Sequence, residues 1–316
     1  MLQQTRIAAV IPYYDRFLDR FPRVEDLARA RKTEVLKFWS GLGYYSRARN
    51  LHRAAKQIVG RHGGKFPRDL AAALDLPGIG RYTAAAILSI AYDAPLAVLD
   101  GNVARVLARL GAIRGDLRAP QRWKELQEMA QRLLATESPS DWNQALMELG
   151  EVICTPQTPH CNACPVRKAC RAYSLGITGA IPQPRKKRGP VVVKIAAAIL
   201  RGPRGHTMLV REPGEHDEVL FSRMWQFPAI EVKRNAKSEL SAYLRGKLKI
   251  VCGGIEVLPE AHHRVTYRNI TLLPYLVRVP AFPKLDGAKV LRLAEVGRLP
   301  VSSATCKIAK AALTIP

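Results

Sequence analysis

Fifty Lys and Arg against twenty-six Asp and Glu in 316 residues leave a formal charge of +24, which points to a polyanionic partner, nucleic acid first. An apolar fraction of 47% supplies packed cores for about two domains and excludes a disordered polybasic tail. No apolar run approaches the roughly 20 residues of a membrane-spanning helix, and no solenoid or collagen-like period is present.

Met1-Leu-Gln-Gln-Thr-Arg6 lacks the basic-then-apolar order of a secretory signal. The six cysteines are therefore expected in a reducing cytoplasm, as thiols or metal ligands rather than disulfides. Nothing signals an oligomer, so a monomer is expected. From Ile7 to about Met147 apolar residues recur at helical spacing, as in Val35, Leu36, Trp39 and Leu42, or Val103, Val106, Leu107 and Leu110. Breaks at Pro22, Gly41–Gly43, Gly63-Gly64, Pro77–Gly80, Gly101 and Pro120 predict short helices in a compact all-α domain, residues 1–178. Residues 179–190 follow as a linker, because Ile181–Pro190 combines three prolines with the four cations Arg185–Arg188. In 191–316 the texture changes to the β-prone runs Val191–Leu200, Thr207–Val210, Lys249–Val251 and Asn269–Arg278, with helices near Ala236–Arg245 and Thr305–Leu313. The fold class is thus multidomain, an all-α domain followed by a smaller α+β one.

Cys154, Cys161, Cys164 and Cys170 follow a C-x6-C-x2-C-x5-C order, with Pro156, Pro159 and Pro165 imposing tight turns between them. Such a loop wraps thiolates around one centre, and spacing alone leaves an iron–sulfur cluster and tetrahedral zinc equally open. Cys252 and Cys306 lie outside the pattern and receive no role. Upstream, Leu76-Pro-Gly-Ile-Gly80 joins two short helices through Gly78 and Gly80. It is either a tight turn between packed helices or a backbone site for phosphate at a helix N-terminus. Asp100, between Leu96–Leu99 and Gly101-Asn102, suits an N-cap of the next helix.

The cysteine order, behind a helical region carrying Leu76–Thr83 and Val98–Val103, resembles the endonuclease III superfamily of DNA glycosylases. The opening Met1–Arg6, the segment Gly41-Leu-Gly-Tyr-Tyr-Ser-Arg-Ala-Arg-Asn50 and a second domain after a basic linker resemble the adenine glycosylase family within it, over nearly the whole chain. The resemblance implies a [4Fe–4S] cluster on Cys154, Cys161, Cys164 and Cys170, and a helix–hairpin–helix at Gly78 and Gly80 that grips a DNA backbone. It makes Asp100, Tyr82 and Asn102 the catalytic set. Asp100 would stabilise the oxocarbenium character that builds as an N-glycosidic bond breaks. Position 82 carries lysine in members that also cut the backbone by Schiff-base chemistry. Tyr82 therefore implies a monofunctional enzyme. The implied substrate is double-stranded DNA with adenine opposite 8-oxoguanine or guanine, the adenine flipped out while Gln4 and Tyr44 wedge the stack. Arg47, with Arg49, Lys56 and Arg61, would touch phosphates.

The implied C-terminal domain is Nudix-like and reads 8-oxoguanine. The helix region Glu239–Leu248 holds one carboxylate, so a second, hydrolase activity is not expected. The family's Phe-Ser-His reading loop falls on Val265-Thr266-Tyr267, which keeps a hydroxyl at Thr266 and an aromatic donor at Tyr267. In that family the glutamate that protonates adenine stands two residues before the methionine matched by Met1. The expectation is a native start further upstream, and the alternative is a catalytically inactive lesion-DNA-binding protein. A nucleoid-associated cytoplasmic location follows from the implied substrate.

Overall fold

The computed structural model describes the chain apart from residues 3, 4, 6, 184–188, 212–223, 251–253, 266, 267, 315 and 316. Its contacts divide it into two compact units: Arg53–Lys187, and Met1–His52 together with Arg188–Pro316. The break before Arg188 falls inside the Pro-rich basic segment. By contacts, Met1–His52 groups with the C-terminal region, where Ser40 and Tyr45 both donate to the Val301 carbonyl.

The chain opens with α1 (Ile7–Arg20), α2 (Val24–Arg29), α3 (Lys32–Trp39) and α4 (Tyr45–His62). Phe17 of α1 meets Trp39 of α3 edge-on and Phe21 at a tilt, an aromatic knot that fixes the two helices together. The helical unit continues with α5 (Leu70–Leu74), α6 (Arg81–Tyr92), α7 (Gly101–Leu110), α8 (Pro120–Leu133), α9 (Pro139–Glu148) and α10 (Arg171–Ser174). Pro120 and Pro139 each open a helix, where the missing N–H costs nothing. The core of this unit forms around α7, with Val103, Ala104, Leu107 and Ala108 against Leu126 and Ala130 of α8, closed by Ala172 and Ile181. Because α7 sits at the centre, its position sets that of everything attached to its N-terminus.

The C-terminal region is a sheet between helices. β1 (Val191–Arg201) is followed by β2 (His206–Val210), β3 (Ala229–Glu231), α11 (Ala236–Leu248), β4 (Ile255–Val257), β5 (Ala261–Val265), β6 (Arg268–Arg278), β7 (Ala288–Arg292) and α12 (Ser303–Leu313). The strand order is β3-β1-β6-β4 with β5 also on β6, and β2 pairs β7 in a separate ribbon. β1 and β6 run parallel from Val191 opposite Arg268 to Arg201 opposite Arg278. A parallel central pair is covered on both faces, which is why β1 reads as a nearly unbroken apolar run. Val193, Ala197 and Ile199 face α12, and Ala196, Ala198 and Leu200 face Leu240, Leu244 and Leu248 of α11.

One expected strand is corrected. Lys249, read as the start of a β run, ends α11 in a left-handed conformation at φ 55°, and its N–H bonds the Leu244 carbonyl. Ile250 of that run is drawn into the core beside α11, and Val251 lies outside the described residues. Glu239, the single carboxylate of Glu239–Leu248, accepts the backbone N–H groups of Arg234 and Lys233, and the first of these bonds holds its pKa below the usual range. Among the described residues, no helix is long and apolar enough to cross a membrane.

Ile199 is fully buried at the centre of the sheet. Ile199→Ala should lower the unfolding free energy by about 2–5 kcal/mol, read from the denaturant midpoint of the full chain. A change below about 1 kcal/mol would mean that this face is loosely packed.

Candidate active site and cysteine loop

In the helical unit, Gly78 takes φ 80° and Ile79 donates its N–H to the Leu76 carbonyl, so the chain reverses within Leu76–Gly80 and enters α6 at Arg81. A Cβ built on Gly80 meets open space. The glycine therefore leaves the start of α6 uncovered instead of making room for a neighbour. The first-turn N–H groups of a helix have no intrahelical acceptor, so this uncovered start presents donors and a partial positive charge to an anion. The hairpin is braced from α4, where Gln57 bonds Asp75 Oδ2 at 2.6 Å and Arg61 pairs with the same oxygen at 3.3 Å.

Asp100 is the N-cap of α7. Its Oδ1 accepts the N–H groups of Asn102 at 2.8 Å and Val103 at 2.7 Å, while Oδ2 accepts no hydrogen bond among the described residues. One oxygen is thus locked by the helix and the other remains for a ligand. Tyr82, on the first turn of α6, is 39% exposed and directs its hydroxyl to Met147 Sδ at 3.8 Å. Burial raises the Tyr82 pKa, and the nearby Asp100 charge raises it further, so the phenol stays neutral. Asn102 turns inward, its Oδ1 accepting from Arg105 at 3.1 Å. A Cβ on Gly150 would lie 2.9 Å from Asn102 Cβ, so only glycine lets the turn after α9 approach so closely. Asp100, Tyr82 and Asn102, chosen from sequence, are brought into one neighbourhood.

Three residues that sequence reasoning missed hold this arrangement. Asn143, 2% exposed on α9, accepts from Val98 N–H and donates to Ser89 Oγ and the Leu96 carbonyl, fixing the segment that delivers Asp100. Arg105 donates to the carbonyls of Cys154 at 2.8 Å and Gly150 at 2.6 Å as well as to Asn102. Arg109, one turn later and 1% exposed, bonds the carbonyls of Thr178, Ile181, Thr155 and Pro156, and Cys154 Sγ at 3.3 Å. Their sequence signal is faint: two arginines four apart inside an otherwise apolar helix.

Cys154, Cys161, Cys164 and Cys170 all line one small hollow, with Arg109 and Arg167 at its wall. Burial raises the Cys164 pKa, and the proximity of the other three thiols adds to it. Cys170 Sγ also faces the Arg109 carbonyl at 3.5 Å. Among the described residues, no three His, Cys, Asp or Glu side chains converge on a single ion-sized point. Four thiols spread around a shared hollow beside a buried guanidinium fit a polynuclear, negatively charged centre.

The other sequence-chosen residues lie in the second unit. Tyr44 is 42% exposed with φ 47° and stacks with Arg47, 4.9 Å from its ring centroid. Arg47 also donates to the Met1 carbonyl at 2.9 Å and Thr5 Oγ1 at 3.0 Å, so its guanidinium ties the first residues to α4. Gln4, Thr266 and Tyr267 lie outside the described residues. The strands β5 and β6 that flank Thr266-Tyr267 pair in antiparallel register, with Val265 opposite Arg268.

Residues 1–134 match the model of the HhH-GPD superfamily of base excision DNA repair proteins. The adenine DNA glycosylase of Mus musculus is 34% identical over 360 residues, covering 98% of this chain and 69% of the mouse protein. That of Homo sapiens is 49% identical over 173 residues, covering 54% and 32% respectively. A solved thermostable thymine-DNA glycosylase superimposes with a TM-score of 0.51 at 32% identity, over 55% of this chain and 80% of that one. The class these matches define is that of a base-excision DNA glycosylase. Within that class, the chain belongs to the adenine DNA glycosylase family.

Removing the Arg109 side chain takes a donor from four loop carbonyls. Arg109→Ala should cost at least about 1–3 kcal/mol of stability, measured by denaturant unfolding of the helical unit within the full chain. An unchanged midpoint would show that the cysteine loop stands without the clamp.

Proposed function

We propose that the chain hydrolyses the N-glycosidic bond of adenine mispaired with 8-oxoguanine or guanine in double-stranded DNA, leaving the backbone uncut. The observation that carries this reading is Asp100, with one oxygen locked into the start of α7 and the other open beside a neutral phenol. A fixed carboxylate is suited to stabilising positive charge on a deoxyribose as the base departs, because no reorganisation is needed when that charge develops. It can also hold the water that then attacks the sugar. Tyr82 has no amine for a Schiff base, which supports a monofunctional course. Asn102, bonded to Arg105, keeps the first turn of α7 in register. Gly78 and Gly80 would seat a phosphate on α6, while Gln4 and Tyr44 would fill the gap left by the flipped adenine. Arg47 would orient Tyr44 and add positive charge. The C-terminal region, with a Nudix-like domain and residues Thr266 and Tyr267, would read the 8-oxoguanine.

Cys154, Cys161, Cys164 and Cys170 would hold a [4Fe–4S] cluster, which the shared hollow and the adjacent Arg109 support. When bound, the cluster supplies a staple for the loop. Through Arg105 and Arg109 that staple bears on the helix that carries Asp100. Cys161→Ser should lower iron content and the absorption near about 400 nm and weaken DNA binding, because metal binding and loop folding are linked. Full iron with unchanged affinity would contradict the ligand assignment.

Asp100 separates two roles cleanly, since asparagine is as good an N-cap as aspartate. Asp100→Asn should leave the thermal midpoint within a shift worth about 0.5 kcal/mol while abolishing adenine release, and Asp100→Ala should lose both. The decisive test is single-turnover adenine release from an adenine:8-oxoguanine duplex by the 316-residue chain and by a version extended upstream in the same frame. Release from either, lost on Asp100→Asn, supports the glycosylase reading. Tight lesion binding by both without release would establish a lesion-binding protein instead.

A further inference from the structure

We propose that Ser40 and Tyr45 are positioning residues that couple the C-terminal region to the Tyr44 loop through the Val301 carbonyl. The functional part rests on the reading of Tyr44 as the wedge. The loop between α3 and α4 passes through left-handed conformations at Gly41 (φ 100°), Gly43 (φ 76°) and Tyr44 (φ 47°). Glycine adopts such angles freely, whereas tyrosine does so only under constraint.

The constraint comes from both sides. A Cβ on Gly41 would lie 2.3 Å from Tyr13 Oη, so α1 closes against one flank of the loop. On the other flank, Tyr45 Oη accepts the Gly41 N–H at 3.1 Å and donates to the Val301 carbonyl at 3.3 Å. Ser40 Oγ donates to the same carbonyl at 3.1 Å, so both lone pairs of one oxygen are engaged by the two hydroxyls that bracket the loop. Trp39 Nε1 completes the brace with a bond to the Gly43 carbonyl at 3.0 Å. The Tyr44 side chain itself remains exposed, with Arg47 against its ring.

Val301 is a rigid anchor. It is fully buried, Trp225 N–H bonds the preceding Pro300 carbonyl, and the following Ser302 caps α12 by accepting the Thr305 N–H at 3.0 Å. From the same helix, Lys307 Nζ donates to the His262 carbonyl of β5 at 3.2 Å. β5 ends at Val265, immediately before Thr266 and Tyr267 in sequence. A continuous set of hydrogen bonds and one helix therefore joins the strand leading to the proposed lesion-reading residues with the loop that carries the proposed wedge. Two sites joined in this way respond jointly only if the joint biases both, which a double-mutant cycle measures.

The experiment compares equilibrium affinity of the full chain for two duplexes. Each carries a non-hydrolysable adenosine analogue, opposite 8-oxoguanine in one and guanine in the other. Tyr45→Phe removes both of its bonds and should reduce the preference for 8-oxoguanine by about two- to tenfold, the range for a lost hydrogen bond; Ser40→Ala should act in the same direction. In a Tyr44→Ala background Tyr45→Phe should change the preference no further. If Tyr45→Phe lowers the thermal midpoint but weakens both duplexes equally, or acts undiminished without Tyr44, the coupling is overturned and the wedge reading stands. If Tyr44→Ala alone leaves the preference untouched, the wedge reading itself falls, and the coupling built on it falls too.

Discussion

Two guanidinium groups on α7 set the geometry on which the helical unit depends. Arg105 and Arg109 are buried one turn apart and together engage carbonyls of Gly150, Cys154, Thr155, Pro156, Thr178 and Ile181. Burying two like charges costs free energy that carbonyl dipoles only partly offset, and burial holds the Arg105 pKa below its ordinary value. A net negative centre on the cysteine loop would offset the remainder. The same helix begins at Asp100, whose Oδ1 is consumed by the cap. Asp100 and the cysteine loop are thus joined through one helix, and the stability of either bears on the other.

Much of this was legible in the chain. Asp100 could be read as a cap because it precedes Gly-Asn and a strictly periodic apolar run, and the cysteines announced a common centre by spacing and interleaved prolines. The nearly continuous apolar texture of Val191–Leu200 marked a strand, although its being covered by a helix on each face emerged only from the pairing with β6. What stayed hidden is tertiary. An arginine reads as a surface charge until its carbonyl partners, dozens of residues away, are in place. Asn143 reads as an ordinary helix residue until Ser89, Leu96 and Val98 surround it. Lys249 misled because local β preference yields to a left-handed cap when the next residue, Ile250, must reach the core. Arg61 gave no sign of its exposed pairing with Asp75, since local sequence does not specify which surface charges meet.

The charge surplus has a similar logic. Fifty cations face twenty-six anions, so nearly half of the basic side chains have no carboxylate to pair with in the chain. Several of the cations that do find partners brace loops: Arg47 at the first residues and Arg61 behind the hairpin. The positively charged groups that order the backbone are therefore partly distinct from those left to attract a polyanion, and affinity for DNA should fall steeply with salt through the latter.

The bond from Ser40 to Val301 spans 261 positions of sequence. During synthesis the first helices leave the ribosome long before their acceptor exists, while the partners of the helical unit between them lie within Arg53–Lys187. The loop that carries Tyr44 is consequently among the last parts of the molecule to become braced, waiting for the strand and helix at the far end of the chain. A truncated or stalled product would retain the hairpin and the capped aspartate yet leave that loop untethered. The geometry of the N-terminal loop is, in this sense, a checkpoint on completion of the C-terminus.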